Sequence, residues 1–495
     1  MRADVASGPV PIPDRAKVVV IGAGPGGSIT AALFAEAGHD VLMLEEGDHW
    51  PLSSSEPFSL AEMEQKYRNG GLTLTFGAAR VQYVEGRCVG GGSEINSGLY
   101  HRTPDGVLDA WMHNYNLDGA TPADLLPDFE MNERDVSVSY LPGRAPEAAL
   151  RLRRGAEACG WSSQEVPRWF KYDGSLDASG VPRGTRQSMT ETFVPRFLNA
   201  GGKLFSRCRV QRLERRGTGW LIHGVQAAVP ARPFCIRSDV AVIAAGAVQT
   251  PAILLRSGVG RHVGRTLQLH PTAKVVAEFD DEVTQDGAGV PSEQVKHFSP
   301  EMSFGCSISS KAHMALSLAQ YPDVRARYDS SWRSMATYYT MALGTGVGRV
   351  RSVRGFRDPV LAYRLSEEDG QRLAKGLERL ATLLFAAGAA RVYPVTEGAE
   401  VLRSPADLRL TGSDFSPSRA NLMTIHLFSS CPMGELRDQC TVDSYGNAHG
   451  EPNLMIADAS ILCTSLGVNP QGSVMAFARR NARYALHENK ALSTN

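Results

Sequence analysis

The stretch Lys17-Val18-Val19-Val20-Ile21-Gly22-Ala23-Gly24-Pro25-Gly26-Gly27 decides the fold. Its unbroken run of Val and Ile reads as a parallel strand buried on both faces. Gly22, Gly24 and Gly27 follow in G-x-G-x-x-G spacing, ahead of a helix predicted over 28–37 and closed by Gly38. A second apolar strand, 41–44, ends in Glu45. In such a βαβ beginning Gly22 makes the turn, Gly24 lets a pyrophosphate approach the main chain, and Gly27 lets helix and strand pack closely. The phosphates would rest on the free N–H groups of the helix start, and Glu45 would accept from ribose hydroxyls. The spacing alone leaves open whether the dinucleotide is NAD or FAD.

Composition narrows the partners. The chain has 495 residues, with Lys+Arg and Asp+Glu equal at 52 each, so no basic excess points to nucleic acid. Hydrophobic residues make up 43%, charged residues 21%, and the mean hydropathy of −0.20 is that of a globular chain with a large core. No run of about 18 apolar residues exists to span a membrane. Residues 1–15 lack the apolar segment of a signal peptide, so the expected location is cytoplasmic. Eight cysteines without a C-x-x-C pair predict buried free thiols, with neither disulfide framework nor metal site. The 49 glycines fall in short knots rather than linkers.

Further buried strand-like runs recur at 239–245, leading into Gly246, and at 454–457, leading into Asp458. Between them, alternation over 272–279 and 335–343 predicts antiparallel strands. A helix is expected over 366–387, with a capping-box-like start at Ser366 and Asp369 and with Leu373, Leu377, Leu380 and Leu384 on one face. Another glycine knot, 86–96, carries three consecutive glycines that let main chain pass close to a flat or phosphorylated ligand. In 246–260 a helix is predicted from Thr250 as N-cap with Pro251 in its first position. The expected architecture is an α/β Rossmann-like nucleotide-binding domain built from discontinuous segments (1–150, 190–268 and 405–495). An α+β substrate-binding domain containing an antiparallel sheet (151–189 and 269–404) would interrupt it.

The knots at 86–100 and 246–260, with Gly264-Arg265-Thr266-Leu267, His270-Pro271, Met455-Ile456-Ala457-Asp458-Ala459-Ser460 and Gly467-Val468-Asn469-Pro470, resemble the glucose-methanol-choline (GMC) family of FAD-dependent oxidoreductases over nearly the whole chain. The first signature departs at Thr103. The resemblance implies that Gly22, Gly24 and Gly27 hold the FAD pyrophosphate, Glu45 the adenosine ribose and the Val210 backbone the adenine. Gly90, Gly91, Ser93 and Asn96 would run beside the isoalloxazine, with Asp458, Asn469 and Pro470 near the ribityl chain and pyrimidine edge. Glu94 rather than histidine stands within the first signature, which implies non-covalent FAD.

The segment His426-Leu427-Phe428-Ser429-Ser430-Cys431-Pro432-Met433-Gly434 is similar to the family's catalytic histidine motif, although Ser429-Ser430 replaces the usual Gly-Thr. It implies His426 as the general base that takes the hydroxyl proton while hydride leaves for flavin N5, with the Asn469 amide holding the substrate oxygen. His270 is expected to cap a loop or helix. The implied reaction is oxidation of a small-molecule alcohol to an aldehyde or ketone, with O2 or another acceptor reoxidising the flavin. Two alternatives stand: a lyase that keeps the flavin without net redox, and an NAD(P)H-using flavoprotein, weakened by the lack of a second G-x-G-x-x-G. The acidic run Glu278, Asp280, Asp281, Glu282 and Asp286 would attract a cationic amino sugar. The same run also reads as a solvated acidic turn; taken with the excess of arginine over lysine and the compact length, it suggests a resemblance to the bacterial dehydrogenases of aminoglycoside antibiotic biosynthesis.

Overall fold

The computed structural model describes residues 11–287, 289–408 and 416–492. Arg15–Ile21 is the expected buried strand, and Val18, Val19 and Val20 have no exposed surface. It runs parallel to Val41–Leu44 on one side and to Arg232–Ile243 on the other. Lys203–Phe205 and Leu454–Ile456 extend the parallel array outward, the latter pairing with Ala241 to Ile243. The first half of Arg232–Ile243 also pairs antiparallel with Gly219–Gln226, which pairs with Cys208–Arg216, giving seven strands in all.

Two helix starts differ from expectation. The first helix is Pro25–Glu36, three residues earlier than predicted, with Gly24 as N-cap. Pro25 belongs there because the first position of a helix needs no N–H. Helix Gly246–Ser257 likewise begins four residues before Thr250 and keeps Pro251 inside. Its start is capped from a distant segment: Asp458 Oδ2 accepts from the Gly246 N–H at 2.9 Å and from the Thr250 hydroxyl at 2.5 Å. Pro251 cannot donate to the Ala247 carbonyl, and the Ser430 hydroxyl does so instead at 2.6 Å.

A nine-stranded, mainly antiparallel sheet faces this domain. Thr272–Glu278 and Met335–Ala342 pair in it as expected, followed outward by Met302–Cys306 and Glu293–Val295. Helix Glu367–Ala386 covers its back through Leu373, Leu377, Leu380 and Leu384. Ser366 caps that helix, but the capping box is not closed. Asp369 accepts instead from the N–H groups of Thr345 at 2.9 Å and Gly346 at 2.8 Å, tying the helix to a loop before strand Val347–Arg351. Short strands Thr73–Leu74, Val81–Tyr83 and Leu422–Thr424 also enter the nine-stranded sheet, so segments 1–150 and 405–495 contribute to both sheets. Among the cysteines six are buried, Cys159 is half-buried and Cys235 is exposed.

Candidate active site

A cavity of about 760 Å3 runs from the first glycine turn to the face of the nine-stranded sheet. Gly22, Gly24, Glu45, Val210, Gly91, Asn96, Asp458, Asn469, Pro470 and His426 all line it. A Cβ at Gly24 or Gly92 would meet no protein atom within 4 Å, so the chain leaves open space there. A Cβ at Gly27 would instead overlap the Gly22 carbonyl. Gly26, which the sequence did not single out, would overlap the carbonyl of Ala457. Gly24 therefore faces the cavity, while Gly26 and Gly27 serve close packing of helix on strand.

Glu45 sits at the end of its strand with Oε2 on the Ala23 N–H at 3.0 Å and Oε1 on the Gly47 N–H at 2.8 Å, and burial pushes its carboxyl up to about 7. Gly90 and Ser93 lie behind the cavity wall rather than on it. Gly90 takes φ +92°, and the Ser93 hydroxyl donates to the Gly90 carbonyl at 2.7 Å while accepting from the Met189 N–H at 3.0 Å. Asn96 bridges the wall, donating to Gln471 Oε1 at 2.7 Å at the start of helix Gln471–Glu488. That helix directs its N-terminal N–H groups towards the cavity end where Asn469 and Pro470 lie.

His426 follows strand Leu422–Thr424. Its Nδ1 lies 3.0 Å from Nδ1 of His270, a fully buried ring. His270 Nε2 in turn faces the N–H groups of Leu466 at 3.2 Å and Gly467 at 2.9 Å. A backbone N–H only donates, so His270 Nε2 is an acceptor and its one proton is on Nδ1. His270 thus donates to His426 Nδ1, which leaves the proton of neutral His426 on Nε2. The Asn469 amide nitrogen stands 3.4 Å from that Nε2, too far to set the tautomer against two backbone donors. His270 is therefore the loop cap expected from the sequence and also the partner of His426. This hydrogen-bond pattern places the proton of neutral His426 on the outward nitrogen, which bears on the general-base role implied for it.

Three groups missed in the sequence are coupled to His426 or Asn469 from outside the residues that line the cavity. His101 is half-buried, but both its ring nitrogens are out of contact with solvent and have no hydrogen-bond partner among the described residues, and the same holds for the amine of the half-buried Lys296. Burial, then the Lys296 charge, holds both His101 and His426 down at about 3, and His270 also lies well below the ordinary range, chiefly through burial. Gln294 donates to the Tyr339 hydroxyl at 2.9 Å and approaches Asn469 Oδ1 at 3.4 Å. The cross-strand register explains that contact: Gln294, Gly305, Tyr339 and Lys274 stand opposite one another on four neighbouring strands.

The acidic run does not reach this cavity. Glu278 is held by Arg327 at 2.5 and 2.8 Å and by Arg391 at 3.3 Å, Asp281 by Arg151 at 2.8 Å, and Asp286 by Arg333 at 2.5 Å. Lys274 does line the cavity, with no ion pair or hydrogen bond to its amine among the described residues; burial lowers it to about 8. No group of acidic, histidine or cysteine side chains among the described residues could hold a metal ion. No helix among them is long and apolar enough to cross a membrane.

GMC oxidoreductase family models match residues 63–272 and 345–478, and an NAD(P)-binding Rossmann-like domain model matches residues 20–58. An uncharacterised GMC-type oxidoreductase of Sinorhizobium fredii is 38% identical over 486 residues, which cover 95% of each chain. A long-chain-alcohol oxidase of Arabidopsis thaliana is 26% identical over 498 residues, covering 93% of this chain and 67% of that one. Among solved structures, pyridoxine 4-oxidase from Mesorbium loti shares the fold with a TM-score of 0.72 at 19% identity, covering 96% of this chain and all of that one. By signature, fold and relatives, the chain belongs to the GMC oxidoreductase family.

Proposed function

We propose that the protein is an FAD-dependent enzyme that oxidises a CH–OH group to an aldehyde or ketone. The observation that carries this is the single cavity joining the Gly22 to Gly27 turn to His426 and Asn469. Bound there, FAD would supply the ring position that accepts a hydride. The open space at Gly24, the carboxylate of Glu45 and the helix start at Gln471 fit its phosphate, ribose and ring respectively. His426 Nε2–H and the Asn469 amide would hold the substrate oxygen and orient its carbon. The hydroxyl proton then needs another acceptor. The Lys296 amine fits: it stands outside the residues that line the cavity, is buried with no hydrogen-bond partner among the described residues, lowers His426 by its charge, and is itself lowered by burial to about 8.

The cavity carries Lys274, unpaired among the described residues, whereas none of the acidic run lines it and three of its five members, Glu278, Asp281 and Asp286, are held by arginines. This favours a neutral or anionic alcohol over an amino sugar. The test is anaerobic spectrophotometry of the flavin with a panel of alcohols. A substrate should bleach it, and His426→Ala should slow bleaching about 100-fold or more. Unchanged bleaching in that variant would remove His426 from the site. A flavin that stays oxidised while the alcohol is cleaved would favour the lyase.

A further inference from the structure

A second cavity, of about 850 Å3, opens beside the adenine end of the first and is built differently. Eight arginines line it and no Asp or Glu does, in a chain whose net charge is zero. One wall is strand Val347–Arg351 and the loop that follows it, 352–357, in the hairpin this strand forms with Val360–Arg364. Alternation in the first strand buries Gly348 and Val350 and leaves Arg349 and Arg351 exposed. Across from them stand Arg265 and the carboxyl end of helix Gly246–Ser257.

Part of this charge is already neutralised. Arg209 lies 3.6 Å and Arg357 3.0 Å from the carboxylate of Glu46, and Arg212 is 3.3 Å from Glu214. Arg265, Arg349, Arg351 and Arg354 have no carboxylate partner among the described residues. Unpaired guanidinium groups gathered in one cleft repel one another, and among the described residues no carboxylate pairs with these four. Three exposed apolar side chains, Leu255, Val353 and Phe356, line the same cleft.

We propose that this cleft binds a small ligand bearing several phosphate groups and an apolar or aromatic portion. Guanidinium forks match phosphate oxygens two at a time, and several forks in a concave site select a multivalent phosphate over a single anion. Phe356, lying exposed beside them, offers a face for a base or ring. Arg209 and Arg256 line both cavities, so the ligand would sit next to the adenosine end of the cofactor site and far from the reacting carbon. That placement suits a regulator rather than a substrate.

The test uses the FAD-loaded protein and titration calorimetry with ATP, tripolyphosphate and sulfate. ATP and tripolyphosphate are expected to bind at least tenfold more tightly than sulfate, and to weaken as salt is raised. Arg349→Gln, Arg351→Gln and Arg354→Gln combined should weaken ATP at least tenfold while leaving flavin content and alcohol oxidation unchanged, since none of the three lines the cofactor cavity. Phe356→Ala should weaken ATP but not tripolyphosphate. Vesicles of anionic phospholipid, against neutral phosphatidylcholine, separate the sources. Capture by anionic vesicles without ATP binding would make lipid headgroups the source of the phosphate. Equal affinity for sulfate and ATP, or no loss in the triple variant, would overturn the proposal.

Discussion

His270 and His426 show how a single hydrogen-bond direction constrains chemistry. Because Leu466 and Gly467 can only donate, the proton order runs through His270 to the outward nitrogen of His426. His270→Asn keeps a donor at the Nδ1 position, whereas His270→Leu removes it. Flavin reduction should therefore fall in the order wild type, Asn, Leu, with the Leu variant about 10-fold or more below wild type. Equal rates for the Asn and Leu variants would leave His270 a purely structural role. Lys296 gives a pH signature. Its amine accepts a proton only when neutral, so flavin reduction should rise with pH and level off above about 8, while His426, held at about 3, contributes no limb between pH 5 and 9. In Lys296→Met that rise should vanish; a profile unchanged in shape and height would exclude Lys296 as acceptor. At this scale the sequence made His426 and Asn469 legible because they sit in motifs. His101, Lys296 and Gln294 carry no motif, and only the sheet register and the first signature's path bring them together.

Helices and strands record a second layer of consequence. The glycines of the first turn look interchangeable in the sequence, yet they face different neighbours. Gly24→Ala should fold with stability within about 1 kcal/mol of wild type and lose affinity for FAD, because its Cβ enters only the cavity. Gly26→Ala should cost about 3 kcal/mol or more, because its Cβ meets the Ala457 backbone. Comparing melting temperature with flavin retention separates the two. The start of helix Gly246–Ser257 was misplaced by five residues because Thr250-Pro251 is a strong local start signal, and the true cap, Asp458, is 212 residues from Gly246. Ser430 then has a specific duty that the departure Ser429-Ser430 did not reveal. Ser430→Ala should cost about 1–2 kcal/mol by leaving the Ala247 carbonyl bare, and less in a Pro251→Ala background, where residue 251 regains its N–H. Additive losses in that double-mutant cycle would disprove the coupling.

The whole molecule carries an electrostatic liability at its centre. His101 and His426, at about 3, and His270, held well below the ordinary range by burial, stay neutral when folded but titrate near 6.5 when unfolded. The unfolded chain therefore binds the extra protons. Their stabilising contribution is complete above about pH 6.5 and falls as pH drops below it, by about 1.4 kcal/mol per pH unit for each histidine. Urea unfolding at pH 7 and 5.5 should show this decline, and His101→Phe should flatten it; a stability independent of pH across that window would contradict the burial of the cluster. The parallel sheet was legible from its apolar runs, and the antiparallel sheet from alternation. The sharing of segments between sheets was not, because strands of two or three residues such as Thr73–Leu74 and Leu422–Thr424 carry almost no periodic signal. That interleaving sets the order of events during synthesis. Strand Leu454–Ile456 and helix Gln471–Glu488, which packs on helix Pro25–Glu36, leave the ribosome some 450 residues after the first glycine turn. At about 5–20 residues per second, the amino-terminal unit waits tens of seconds with its apolar helix face uncovered, so chaperone demand during translation, and cofactor loading only near its end, are built into the topology.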